Sequence, residues 1–131
     1  MADLDDLDRL VARLPGVTAG VRHGHRTWAV AGKGFAWERP FSKADIKRFA
    51  DDPVPDGPIV ALVTEGLADK ESLLQAHPEY LFTISHFKGY PAVLLRLVKA
   101  SEDDLAEALL DAWLVHAPDD VARSYLEQHR E

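Results

Sequence analysis

The stretch His23-Gly-His-Arg-Thr-Trp-Ala-Val-Ala-Gly-Lys-Gly-Phe-Ala-Trp-Glu-Arg-Pro40 decides how this chain folds. Residues 27–31 and 34–38 alternate around Gly32-Lys33, which predicts a β-hairpin closed by a two-residue turn with glycine at its first central position. That register sets Trp28 opposite Trp37 and Val30 opposite Phe35. One face of the hairpin is then a cluster of large apolar groups, and Thr27, Ala29, Ala36 and Glu38 occupy the other.

Outward from the hairpin the chain alternates short elements without repeats. Before it, Leu4, Leu7, Leu10, Val11 and Leu14 recur at helical spacing until Pro15-Gly16 stops the helix. Asp3, Asp5, Asp6 and Asp8 suit the positive end of that helix and read better as its electrostatic cap than as ligands for a hard cation. After it, Ser42-Lys-Ala-Asp45 matches a capping box for a short helix with Ile46, Phe49 and Ala50 on one side. Residues 51–58, with three prolines and a glycine, form a loop.

Residues 59–64 read as a buried strand and residues 69–76 as a helix closed before Pro78. Residues 80–85 and 92–99 read as two strands joined through Phe87-Lys-Gly-Tyr-Pro91. A second capping box, Ser101-Glu-Asp-Asp104, opens a helix carrying Leu105, Leu109, Ala112, Trp113 and His116, and a last helix follows Pro118. The expected fold is α+β: one domain over residues 1–131, two layers, an antiparallel sheet of about five strands, and helices packed on it in the order α-β3-α-β2-α. Trp28, Val30, Phe35 and Trp37 are expected to pack on Leu105, Leu109 and Trp113.

Composition narrows the function. The 131 residues are 47% hydrophobic, enough for one core. There is no cysteine, which excludes disulfides, thiolate nucleophiles and iron–sulfur sites and agrees with a reducing compartment. No leader-like start or membrane-length apolar run is present, so the expectation is a cytoplasmic protein without a membrane partner. The formal net charge is −7, which taken globally opposes nucleic-acid binding. It is unevenly spread: residues 1–21 carry −2, residues 22–48 carry +5 and residues 49–131 carry −10. The positive segment coincides with the aromatic hairpin.

The order of Leu14-Pro-Gly-Val17, His23-Gly24, Gly32-Lys33-Gly-Phe-Ala36, Lys70-Glu-Ser-Leu-Leu74, Pro78, Phe87-Lys-Gly-Tyr90 and Ala112-Trp113 before Ala117-Pro118 resembles the MmcQ/YjbR family, from about Leu10 to Tyr125. The resemblance implies a small α+β domain, similar in layout to type III secretion chaperones, and a DNA-binding protein. Many relatives carry Trp after the Gly-x-Pro turn, where this chain has Ala92-Val93.

Catalytic chemistry is thin. His23-x-His25 would put two imidazoles on one strand face, but a metal site needs a third ligand that the sequence does not name. Ser85-His86 has no assignable triad partner. Gly32-Lys33-Gly34 lacks the spacing of a phosphate loop and reads as a hairpin turn. No catalytic residue, metal or cofactor is expected, and the chain reads as a non-enzyme. The basic segment alone offers a route to a partner, with Arg22, Arg26, Lys33, Arg39, Lys43, Lys47 and Arg48 as candidate phosphate contacts for weakly held DNA. The competing readings are solvated charge around a buried hairpin, and a protein-interaction or chaperone-like domain without nucleic acid.

Overall fold

In the computed structural model, which describes residues 2–129, one six-stranded antiparallel sheet organises the chain. The elements run α1 (Leu4–Val11), β1 (Val17–Arg22), β2 (His25–Val30), β3 (Lys33–Glu38), α2 (Lys43–Phe49), β4 (Ile59–Val63), α3 (Leu67–Ala76), β5 (Leu81–Phe82), β6 (Ala92–Arg96), α4 (Glu102–His116) and α5 (Asp119–Gln128). The spatial order is β1-β2-β3-β4-β6-β5. The α+β class and helix-on-sheet layering follow the expectation. The sixth strand is β1, whose exposed residues carry no burial alternation for a sequence reading to find.

Three helices start where their side chains dictate. Asp3 with Asp6, Ser42 with Asp45 and Ser101 with Asp104 each close a reciprocal capping box that satisfies two otherwise orphaned N–H groups. On α4, Leu105, Leu109, Ala112 and Trp113 form one buried stripe. It meets Trp28, Val30 and Phe35 of the hairpin in the larger of two apolar clusters, which α1, α3 and α5 also join. The indole N–H of Trp113 donates to the carbonyl of Pro15 at 3.0 Å, so the stop after α1 serves as a tertiary anchor.

The hairpin departs from its expected register in two ways. Its turn is Ala31-Gly32, with φ of 53° and 78°, and Val30 pairs with Lys33. Positive φ at both central residues is the turn whose twist matches paired strands, and glycine takes the second position. Ala29 pairs with Gly34 but Trp28 with Ala36, leaving Phe35 as an extra residue in a bulge. Phe35 and Ala36 thus both enter the larger core, and the alternation restarts one residue late. Trp37 therefore falls on the opposite, outer face, beside Ile59, Ala61, Phe87, Ala92 and Leu94, and does not join the cluster around Trp113.

The other strand readings shorten. Residues 80–85 contain only the two-residue strand β5, and a 3-10 turn at Ser85–Phe87 follows. The strand expected over 92–99 ends at Arg96, before a 3-10 turn at Leu97–Lys99.

Candidate nucleic-acid interface

The outer face is covered only in part, by α2 and the Ser85–Phe87 turn, and between them runs an open groove of about 850 Å³. Its walls bring together Arg22, His23 and His25 from the first hairpin, Trp37 from β3 and Arg39 just after it, Arg48 from α2, and His86 and Tyr90 from the 85–90 segment. Arg22 pairs with His25 across β1 and β2, and a Cβ built on Gly34 would lie 3.7 Å from Arg22 Nη1, which places the guanidinium over β3. Adjoining the groove is a recess of about 260 Å³ lined by Trp37, Arg39, His86, Phe87 and Tyr90.

Asp45 organises the basic wall. Its side chain is only 2% exposed and accepts from Arg39 Nη1 at 2.9 Å and from the Ser42 N–H at 2.9 Å, with Arg48 Nη1 at 3.7 Å. Burial alone would raise the pKa of Asp45; the Ser42 N–H and Arg39 outweigh it and hold it below the ordinary 3.8. Arg39 also donates to its neighbour Pro40 at 2.7 Å and lies 5.5 Å from the centre of the Phe87 ring. It is a fixed wall more than a mobile cation. Arg48 is half-exposed on its longer contact, and among the described residues Arg22 has no carboxylate partner.

The structure thus divides the seven cations singled out in the sequence. Arg22, Arg39 and Arg48 share the groove. Arg26 lies on the opposite side of the sheet, where it donates to Glu38 at 2.9 Å and to Asp8 of α1 at 2.8 Å and stands over Trp28. The Glu38 hydrogen bond, reinforced by Asp8, raises its pKa while depressing that of Glu38. Lys33 sits at the hairpin tip, six residues and about 20 Å along the strand from Arg39. Lys43 and Lys47 are exposed on α2 and line neither groove nor recess, because Asp45 takes the inward position between them.

The sequence reading did not gather His23, His25, His86, Trp37 and Tyr90 into one place. His23 and His25 do not share a strand face: His23-Gly24, with φ of 52° and 79°, is itself the β1–β2 turn. Among the described residues no group of three histidine or carboxylate side chains is placed to hold a metal ion, and no helix is long and apolar enough to cross a membrane.

Lys70 fixes the far wall. It is buried on α3, and its Nζ donates to the carbonyls of Phe87 at 2.6 Å and Tyr90 at 2.8 Å, which folds the 85–90 segment so that His86 and Tyr90 flank Trp37. Desolvation lowers its pKa.

A six-stranded antiparallel sheet with most of its helices on one face, and on the other a basic, aromatic groove beside α2, defines an α+β domain. The model of the YjbR family matches residues 12–115, and the chain belongs to that family. Uncharacterized proteins of Mycobacterium tuberculosis and Mycobacterium bovis are 38% identical over 129 residues, covering 96% of this chain and 97% of theirs. A crystal structure of a Deinococcus radiodurans protein with a DUF419 domain shares the fold, with a TM-score of 0.61 and 20% identity over 98% of this chain and 88% of that one.

Proposed function

We propose that this chain is a non-enzymatic nucleic-acid-binding domain that holds DNA weakly, through phosphates, in the outer-face groove. The observation that carries the reading is the convergence of Arg22, Arg39 and Arg48 with the accessible rings of Trp37 and Tyr90 in a protein that is otherwise acidic. Ligand phosphates are repelled by most of the surface and admitted where these cations outweigh Asp45 and Glu38. The non-catalytic part rests on chemistry: the chain has no cysteine, and Ser85 and His86 lie side by side in a 3-10 turn where, among the described residues, no carboxylate is paired with the His86 imidazole.

The test is anisotropy of labelled DNA, single- and double-stranded, at 50 and 200 mM salt. Two or three phosphate contacts should weaken binding about 7- to 40-fold across that range. Salt-independent binding, or none at 50 mM salt, rejects the reading. The protein-interaction alternative is favoured by β1, a six-residue edge strand without proline whose Val21 is 69% exposed and whose outer backbone groups have no strand partner among the described residues.

A further inference from the structure

Within the nucleic-acid reading, we infer that the 260 Å³ recess receives one unstacked nucleobase, so that the ligand is a single strand and not a duplex. The recess is lined by Trp37, His86, Phe87, Tyr90 and Arg39, four of them aromatic and the fifth a guanidinium. Its volume falls just under the roughly 300–1,000 Å³ of whole small-molecule sites and suits one planar heterocycle. Aromatic and guanidinium faces recognise bases by stacking, and in a duplex those base faces are covered by neighbouring pairs, leaving only edges in the grooves.

The cations agree with this geometry. Arg39 is held by Pro40 and Asp45, which makes it a stacking surface, whereas Arg22 and Arg48 stand along the groove where the backbone leaving the recess would pass. Lys33, Lys43 and Lys47, which are exposed, lie outside the groove. Lys70 acts here as a positioning residue, since it fixes the carbonyls of Phe87 and Tyr90 and with them the segment that carries His86 and Tyr90. This chemistry does not distinguish deoxyribose from ribose.

The protein supplies its own probe. Trp28 and Trp113 are 3% and 0% exposed, so Trp37 is the tryptophan whose fluorescence a stacked base can quench. The experiment titrates the full chain with a ten-nucleotide oligothymidylate, the matching oligouridylate and a twelve-base-pair duplex at 50 mM salt. It is repeated with Tyr90→Leu and the double variant Arg22→Gln/Arg48→Gln by the same readout and with Trp37→Leu by anisotropy of a labelled strand, each variant checked for an unchanged thermal transition. Quenching by the single strands, tighter binding than the duplex, and a loss of about 5- to 150-fold in Trp37→Leu or Tyr90→Leu support the inference. Tyr90, 47% exposed, is the variant that leaves the core alone. A duplex bound as tightly as the single strands, without quenching and indifferent to both aromatic variants, overturns it. If the arginine variant still weakens that duplex, the groove reading stands without the single-strand inference. Failure of all three ligands to bind overturns both.

Discussion

Lys70 and Phe87 are seventeen residues apart in sequence and joined by a 2.6 Å hydrogen bond from the ammonium to the carbonyl oxygen, the shorter of two that the same Nζ makes to the 87–90 turn. A buried ammonium without a carboxylate partner is costly, and these carbonyls are what hold it. The bond couples α3 to the far wall of the groove, and it gives a physical role to two of the short motifs that carry the family resemblance.

Replacing Lys70 by Met should therefore act on fold and groove together. Two carbonyls lose their donor, and a destabilisation of about 2–3 kcal/mol is expected from their desolvation, partly offset by removing a buried charge. Chemical denaturation measures the first effect, and increased amide exchange confined to residues 85–91 the second. A variant as stable as the parent with unchanged exchange would remove Lys70 from this role.

Trp113 is the centre of the helix-side core. Trp113→Ala should cost about 3–5 kcal/mol, because it leaves a cavity in the larger cluster beside the Tyr125 ring and strips the Pro15 carbonyl of its donor. Denaturant unfolding with an unchanged slope checks it, and a loss under 1 kcal/mol would mean that α4 and the sheet repack without it.

Ala31 sits at φ 53° in the hairpin turn, a left-handed conformation that costs an alanine about 1 kcal/mol and suits asparagine better. Ala31→Asn creates an Asn-Gly turn and should raise the melting temperature by about 3–5 °C. Calorimetry showing no gain would place the strain elsewhere.

Much of the fold is written in local patterns: the capping boxes at Ser42 and Ser101, the stripe on α4, and the hairpin itself. What is not local was not legible. Phe35 occupies a bulge that no period-two reading marks, and its single extra residue sends Trp37 from the core to the outer face. β1 has five exposed residues of six and so no apolar alternation to recognise. The charge asymmetry identified the right segment, yet charge along a sequence does not say which side of a sheet a residue faces. Arg26 and Arg39 are thirteen residues apart and end on opposite faces. His86 and Tyr90 reach the groove in a turn that Lys70, distant in sequence, helps to hold.

Acid should unfold the protein from about pH 4.5 downward. Asp6, Glu38, Asp45 and Asp104 all have folded pKa values below their ordinary ones, Asp6 through Arg9, Glu38 through Arg26, Asp45 through the Ser42 N–H and Arg39 against its burial, and Asp104 through the Ser101 N–H. The unfolded chain binds protons first, so the stability they contribute is present above the ordinary values of 3.8 and 4.5 and is lost as pH falls through the folded ones. Asp111, raised by burial, works in the opposite sense. Melting temperature against pH measures the balance, and a flat curve from pH 6 to 3 would contradict it.

The last prediction separates the groove from the rest of the positive segment. Arg22→Gln/Arg48→Gln removes two cations from the groove walls, while Lys43→Gln/Lys47→Gln removes two exposed cations from the same stretch of chain that line neither groove nor recess. Both double variants lose the same net charge, so a purely global electrostatic effect would weaken them alike. Contact through the groove instead predicts that the arginine variant binds less tightly and that its dependence of log K on log salt flattens by about 1.4 for two phosphates on a single strand. The lysine variant should stay within about two-fold of the parent at 0.15 M salt, where the screening length is roughly 8 Å. Neither variant should lose its fold: Arg48 keeps only a long contact at 3.7 Å, and exposed charges contribute little to stability. Equal losses in the two variants would move the contact surface from the groove to α2 and the segment as a whole.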